Sequence, residues 1–270
     1  TSDVLFEHGM EYAYGMFAEK DHDEEPGVEQ PIVHERSGSP ASYEQWHNIG
    51  VQGKRFLSHG PRADEITEVT GQEAQEPIRI YAGLADNRDL EDIAQIVISE
   101  IHRTNAFDRS VLILSTVTGT GWVEEWGIQP VEYLTGGDCA TVTMQYSYVP
   151  SAISFLREFG KPAGAAEILY KAVMTELAKI PEEDRPAVYL HGVSLGAYGS
   201  QAIFEDEADL LDQVDGAVWA GTPNSTPLWQ NLTAKHGSVA SKTSSSLTTA
   251  RSVGFVSTSV WRRCSRTTVS

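Results

Sequence analysis

The chain has 270 residues, of which 40% are hydrophobic and 21% are charged. This composition excludes a disordered or collagen-like chain, and the length allows one large α/β domain. The formal net charge of −18 argues against nucleic acid or an anionic membrane surface as a partner, because both carry negative charge themselves.

Residues 1–75 are polar and irregular, and we interpret them as an arm that wraps around the domain. Short helices are predicted within the arm, near residues 43–46 and 63–70. The acidic run 21–25 is interpreted as a solvated loop and not as a metal site, because carboxylates this close in sequence usually face water.

From residue 77 onward, apolar runs typical of buried strands alternate with amphipathic stretches typical of helices. The predicted strands are 77–84, 110–115, 140–146, 187–191 and 216–221. The predicted helices are 90–103, 131–134 and 164–180, with another directly after the fourth strand. This alternation indicates βαβ units. The predicted fold class is therefore α/β, with a mostly parallel sheet and helices on both of its faces.

Neither a membrane-spanning segment nor a metal site is predicted. There is no apolar stretch of about 18 residues and no secretory leader pattern, so we expect a soluble chain. The two cysteines, Cys139 and Cys264, fit neither a disulfide framework nor a metal-ligand spacing. Cys139 opens an apolar run and is expected to be a buried, inert thiol.

The composition changes near the C-terminus. All 38 Asp and Glu residues lie within residues 1–215, and residues 242–270 are rich in Ser, Thr and Arg. A flexible basic tail and a lost natural continuation, for example after a frame change, both account for this pattern. We favour the lost continuation, because a sheet that stops after its central strands leaves an edge uncovered. The last strands are then missing, and residues 242–270 are expected to be disordered or non-native.

The strongest chemical signal is a G-x-S-x-G sequence, in which Gly192 and Gly196 flank Ser194. A predicted strand leads directly into it and a helix of small residues follows, which is the context that this motif requires. A serine at such a turn is strained and lifts its Oγ above the strand ends, while the glycines remove Cβ clashes. We predict Ser194 as a nucleophile and the N–H of Leu195 as an oxyanion donor. A glycine-rich turn with an incidental serine is the alternative.

A second oxyanion donor is predicted in the loop after strand 110–115, because glycines there let a backbone N–H approach a substrate. The candidates are Thr118, Gly119, Thr120 and Gly121. A plain turn is the alternative. The loop matches neither a dinucleotide fingerprint nor a P-loop.

Two further groups of residues are candidates for lining the site. Residues 221–224, after the strand that follows the motif, are expected to face the site from the other side or to form an ordinary turn. Aromatic residues near strand ends are candidates for an acyl pocket or for core packing. They are Trp122, Tyr146, Tyr148, Trp219 and Trp229.

The rest of a catalytic triad is not evident. Enzymes with this type of elbow have the order Ser, acid, His, but no acid follows Asp215. His236 is the one histidine after Ser194, and we interpret it as a solvated loop residue. His191 is interpreted as a packed histidine that points away from the Ser194 Oγ. Without a base, a serine hydroxyl is a weak nucleophile, so we expect little or no activity from this chain alone.

The sequence resembles a family of actinobacterial proteins with an α/β-hydrolase catalytic domain, whose longer members carry an N-terminal membrane-spanning region. The resemblance covers roughly residues 1–241. It lies in "SYEQWHNIGVQGKRFLSHGP" (42–61), "EPIRIYAGL" (76–84), "RTNAFDRSVLILSTVTGTGWV" (103–123), "VEYLTGGDCATVTMQYSYVPSAISFL" (131–156), "HGVSLGAYGSQAIF" (191–204) and "DGAVWAGTPNSTPLWQNLT" (215–233).

The resemblance implies an α/β-hydrolase core over residues 76–241, with Ser194 as nucleophile and residues 118–121 as oxyanion loop. It implies that further sequence follows residue 241, with an Asp at a strand end and a late His. Full-length relatives are expected to be membrane-associated, whereas this chain would reach a membrane only through segments that it lacks.

Two hypotheses from different classes follow. The first is an esterase- or lipase-like serine hydrolase that acts on a small-molecule ester or acyl substrate, with no metal or organic cofactor and no nucleic-acid partner. The alternative is a non-catalytic binding or accessory module with the same fold, in which Ser194 is vestigial. Acyl transfer to an acceptor other than water would share the nucleophile of the first hypothesis.

Overall fold

The computed structural model describes most of the chain, namely residues 15–17, 20–21, 25–85, 88–149, 160–236 and 252–256. Six strands form one parallel sheet in the order β1-β3-β2-β4-β5-β6. The strands are β1 (Ile78–Ala82), β2 (Val111–Thr116), β3 (Cys139–Met144), β4 (Ala187–Val193), β5 (Gly216–Ala220) and β6 (Ser252–Val256). The helices are α1 (Val51–Ser58), α2 (Ala63–Thr70), α3 (Leu90–Thr104), α4 (Gln129–Leu134), α5 (Lys161–Leu177), α6 (Leu195–Gln201), α7 (Glu207–Gln213) and α8 (Pro227–His236).

The strand order places helices on both faces of the sheet. Parallel strands are joined by right-handed crossovers, so the reversal from β2 to β3 places α4 opposite the other connecting helices. The side chains of Arg79 and Tyr81 face α1 and α4, whereas Ile78 and Ile80 point to the opposite face. There, α3 packs against β1 and α5, and α5 packs against α6. The strands β2 and β4 are adjacent and parallel, so their carboxyl ends lie side by side at the same end of the sheet.

The predicted fold class is confirmed, and the described residues contain further elements that were not predicted, namely β6, α1, α7 and α8. The five predicted strands are all present, and their bounds differ from the prediction by at most three residues. Within residues 242–270, for which disorder or a non-native continuation is expected, the structure contains β6, which pairs with β5. That strand was not predicted because it is only five residues long and lies in a Ser- and Thr-rich stretch.

The N-terminal arm is more ordered than its polar composition suggested. The helix predicted near residues 63–70 is present as α2, and a short 3₁₀ turn, Trp46–Asn48, lies beside the region predicted as helix at 43–46. The unpredicted helix α1 buries Phe56 and Leu57 almost completely. Aromatic and aliphatic burial, and not loop solvation, therefore holds this part of the arm on the domain.

The acidic run is also corrected at its first residue. Asp21 is buried, and its carboxylate accepts a hydrogen bond of 2.7 Å from the Gln145 amide, next to the end of β3. Glu25, at the end of the run, forms an ion pair with Arg55 of α1. Residues 22–24 between them lie outside the described residues.

Two buried arginines join the arm to the sheet. Arg36 and Arg79 lie opposite each other in an isolated parallel bridge, and both side chains are fully buried. Arg36 donates to the backbone carbonyls of Leu57, His59 and Pro61, all within or just after α1. Burial first, and then repulsion from Arg79, lower the pKa of Arg36. Backbone carbonyl oxygens of the arm therefore supply the hydrogen-bond acceptors that the buried Arg36 guanidinium requires.

Arg79 is the better neutralised of the pair. Its Nε and one terminal nitrogen donate to the two carboxylate oxygens of Glu132 in α4, both at 2.8 Å. The other terminal nitrogen donates to Glu125 at 2.9 Å and to the Phe56 carbonyl at 2.6 Å. Burial alone would lower the pKa of Arg79, but these carboxylates outweigh it and raise it. One side chain thus holds four segments of the chain together.

A second carboxylate, Glu100 of α3, holds the arm from the opposite end. It is fully buried and accepts from the hydroxyls of Ser37 and Ser42, from the Tyr43 N–H and from Arg103. Burial alone would raise the pKa of Glu100, but these donors lower it. The arm is therefore attached by charge-assisted hydrogen bonds on both sides of α1.

We expect the buried pair of Arg79 and Glu132 to dominate stability among the ion pairs. Glu132→Gln leaves a buried guanidinium partly unneutralised and should lower the free energy of unfolding by about 3 kcal/mol. Urea titration followed by circular dichroism measures the change. The matched control is Glu167→Gln, which breaks an exposed pair with Lys171 on α5 and should cost less than about 0.5 kcal/mol. Equal losses in the two variants would contradict the assignment.

We expect Cys139 to be unreactive in the folded protein. Its thiol is buried in β3, and burial raises its pKa to about 12, so almost no thiolate exists near neutral pH. A Cys264→Ser variant contains Cys139 as its one thiol. At pH 8 this variant should resist a thiol reagent when native and react completely in denaturant. Fast reaction of the native variant would show that the strand is accessible.

Candidate functional site

The G-x-S-x-G sequence forms a sharp turn between β4 and α6. Ser194 has φ 53° and ψ −113°, an uncommon conformation for a residue with a side chain. Its N–H donates to the Ala220 carbonyl of β5 at 2.8 Å, and its carbonyl accepts from Tyr198 at 3.0 Å. The turn is therefore fixed from both sides, and Ser194 itself is half-buried at the ends of the strands. A nucleophile elbow requires a turn of this shape, and the turn at residues 192–196 is called the elbow below.

The two glycines of the motif are required by close backbone contacts. A Cβ on Gly192 would lie 2.7 Å from the Gly196 carbonyl carbon. A Cβ on Gly196 would overlap the Thr116 carbonyl oxygen at the end of β2. Because both obstacles are backbone atoms, they cannot rotate away as a side chain could. The glycines allow α6 to begin directly against the neighbouring strand.

The candidate oxyanion loop begins two residues after this contact. It is a tight turn in which the Gly121 N–H donates to the Thr118 carbonyl at 2.9 Å, and the Thr118 N–H donates to the Trp122 carbonyl at 3.1 Å. Gly121 has φ +82°, and its carbonyl accepts from the buried Tyr81 hydroxyl at 3.0 Å. The amides of Thr118 and Gly121 are thus engaged inside the loop. We do not expect these two to face a substrate oxygen while the turn is intact.

The segment after β5 lies on the other side of the elbow. Gly221, with φ +59°, follows Ala220, and a Cβ built on it would lie 4.0 Å from the Ser194 nitrogen. Thr222 accepts a hydrogen bond of 2.9 Å from Gln201, the last residue of α6. Gly221 therefore lies beside the Ser194 backbone, whereas Thr222 contacts the end of α6, and a role of residues 221–224 in lining the site stays a prediction.

The aromatic candidates divide into core and surface residues. Trp219 is fully buried and donates its indole N–H to Ser200, while Tyr146 and Tyr148 are buried at the end of β3. Trp122 is 42% exposed and Trp229 is half-buried. Core packing, and not an acyl pocket, is therefore the role of Trp219.

A cavity of about 370 Å³ opens beside the candidate loop. Trp122 and Val123, which directly follow the loop, form one wall, and α1 forms the other. Two charged groups at the cavity, Arg55 and Glu25, neutralise each other. The cavity is a half-open cleft between the arm and the core.

His191 is buried, as expected, but it has two polar partners that sequence reasoning missed. Its Nδ1 lies 3.0 Å from Ser115 Oγ, and its Nε2 lies 3.5 Å from a carboxylate oxygen of Glu124. Ser115 and His191 are paired in the register of β2 and β4. Both strands were predicted, but their register is not contained in either segment alone. His236, interpreted as a loop residue, ends α8 instead.

Two further searches bear on the chemistry of the site. Across the described ranges, no three His, Cys, Asp or Glu side chains are arranged to hold a metal ion. In the same ranges, every helix is too short or too polar to cross a membrane.

Comparison with known proteins identifies the family of the chain. Residues 78–266 match the model of the alpha/beta-hydrolase family, and residues 1–61 match the model of the N-terminus of that family. The first match extends beyond residue 241, where the resemblance seen in the sequence ended. No curated protein and no solved structure matches the chain. Because the first match spans more than half of its 270 residues, the chain belongs to the alpha/beta-hydrolase family.

Proposed function

We propose that the protein is a serine hydrolase that cleaves a small-molecule ester or related acyl compound through Ser194. The observation that carries the proposal is the positive φ of Ser194 between two glycines that cannot accept a Cβ. Strain of this kind at a polar residue is characteristic of functional sites. Membership of the family supports a hydrolase in general terms.

The chemistry would proceed by covalent catalysis. Ser194 Oγ bonds to the substrate carbonyl carbon as its proton passes to a base, and the alcohol leaves with a proton. Water then cleaves the resulting ester and restores the serine. The negative oxygen of each tetrahedral intermediate would be held by the Leu195 N–H, which lacks an intrahelical acceptor at the first position of α6. No step needs a metal or an organic cofactor.

A non-catalytic module of the same fold is the second candidate. The sequence has no Asp or Glu after Asp215, where the acid of this family of folds is expected. In the described part of the chain, no hydrogen bond joins Ser194 Oγ to a histidine. Under this candidate, Ser194 has no special reactivity.

Reaction with a fluorophosphonate separates the two candidates. The Ser194 oxygen would bond to phosphorus and expel fluoride, and the label remains on the protein. We expect weak labelling that Ser194→Ala abolishes and that Ser99→Ala, on the partly exposed surface of α3, leaves unchanged. Mass spectrometry of the labelled peptide identifies the site. A folded chain that shows no label, or label that survives in Ser194→Ala, would favour the non-catalytic module.

The elbow glycine should behave differently from a helical glycine. Gly196→Ala forces a Cβ into the Thr116 carbonyl, so we expect a loss of about 1–3 kcal/mol in unfolding free energy and slower labelling. The matched control is Gly164→Ala in α5, where a Cβ meets no atom within 4 Å. That change should stabilise the protein by about 0.5–1 kcal/mol. Thermal and urea unfolding of both variants tests the difference in sign.

A further inference from the structure

Three buried or half-buried polar side chains form a hydrogen-bond chain next to the elbow. It consists of Ser115 on β2, His191 on β4 and Glu124 in the segment after the candidate loop, with the distances of 3.0 Å and 3.5 Å given above. Ser115 is 1% exposed and His191 is 5% exposed. Because Ser115 is sealed from solvent, this Ser-His-Glu set is not a second site of catalysis.

This hydrogen-bond chain lies on both sides of the candidate loop in the sequence. Ser115 precedes Thr116, whose carbonyl contacts Gly196, and Glu124 comes three residues after Gly121. His191 directly precedes the elbow glycine. The imidazole of His191 on β4 therefore contacts one residue on each side of the candidate loop, three residues before it and three residues after it.

The Glu124 end of the chain is rigid. Its carboxylate accepts the N–H groups of Trp126 and Gly127, the latter at 2.9 Å. Burial alone would raise the pKa of Glu124, but its bonds to His191 and to these amides lower it. A Cβ on Gly127 would lie 2.6 Å from His191 Nε2, so the ring rests against backbone. The Glu124 carboxylate and the backbone at Gly127 together confine the His191 imidazole.

The direction of the hydrogen bonds is consistent along the chain. With a proton on Nε2, the ring presents a donor to the Glu124 carboxylate, and the bare Nδ1 accepts the Ser115 hydroxyl proton. Each buried polar atom of the ring then has a partner of the opposite kind. The carboxylate selects this tautomer in the way that second partners of functional histidines do.

We propose that His191 is a positioning residue that fixes the loop of residues 118–121 relative to Ser194. The inference rests on the proposed function, in which Ser194 attacks a carbonyl, and it adds a second oxyanion donor from the candidate loop to the Leu195 N–H. His191 acts through Ser115 and Glu124 and takes no proton from Ser194. Small displacements of reacting groups cost large factors in rate, so the contribution should be visible in the chemical step.

The first experiment measures the rate of fluorophosphonate labelling at Ser194. His191→Phe fills the space without polar atoms, whereas His191→Gln keeps a donor that reaches toward Glu124. We expect labelling at least about tenfold slower in the Phe variant and an intermediate rate in the Gln variant. Rates are compared at a temperature where circular dichroism shows all proteins folded. The matched control is His102→Gln, a surface histidine 3.4 Å from Glu176, which should label at the native rate.

The second experiment needs no activity. The ¹⁵N resonances of the His191 ring report which nitrogen carries the proton and what it contacts. We expect Ser115→Ala to shift Nδ1 and Glu124→Gln to shift Nε2. Ser99→Ala, whose hydroxyl donates to a carbonyl within α3, should shift neither.

The outcomes separate this inference from the proposed function. Native-rate labelling in a folded His191→Phe variant overturns the positioning role. If that variant does not fold, Ser115→Ala replaces it, with slower labelling expected and a native rate overturning the role. If the native protein itself does not label, the proposed function fails, and with it the positioning role. In that case the ¹⁵N resonances of the His191 ring test only whether the hydrogen-bond chain exists. Unchanged ring shifts in both Ser115→Ala and Glu124→Gln would refute it.

Discussion

The arrangement of this domain depends on neutralising one buried guanidinium. Arg79 lies in β1, and desolvation of its charge is tolerable only when carboxylates and carbonyl oxygens surround it. Those groups come from α1, from α4 and from the segment between the candidate loop and α4. The segment matched by the N-terminal family model and the one matched by the main model meet here, at the bridge of Arg36 and Arg79. The arm must therefore pack against the sheet for the buried charge of Arg79 to find its hydrogen-bond acceptors.

Two consecutive carboxylates, Glu124 and Glu125, connect the surroundings of Arg79 to the elbow. Glu125 pairs with Arg79 on β1, whereas Glu124 approaches His191 on β4. The segment after the candidate loop is thus held between two strands that are not neighbours in the sheet. On its β1 side, the loop itself is held by the Tyr81 hydroxyl. A loop with so many attachments suits a preorganised site, in which donors do not need to rearrange during a reaction.

Local patterns in the sequence were sufficient for the sheet and the elbow but not for the contacts between distant segments. The apolar runs predicted β1 to β5, and the Gly-x-Ser-x-Gly spacing predicted the turn at Ser194, because these depend on neighbours in the chain. The pairing of Ser115 with His191 depends on strand register, which is set by the whole sheet. The burial of Asp21 depends on Gln145, which lies 124 residues away. Helix α1 was missed because Lys54 and Arg55 interrupt its apolar residues, and the burial of Lys54 requires the tertiary structure.

The positive φ of Ser194 has an evolutionary consequence. Glycine adopts such angles without the steric strain that a Cβ brings, so a serine at this position is opposed by conformational preference. If Ser194 is the nucleophile, as proposed, steric relaxation and reactivity are opposed at this single position. A lineage that lost the need for the reaction would gain stability by replacing Ser194 with glycine. Retention of serine in relatives would then record selection for chemistry, because folding alone gives no reason to keep it.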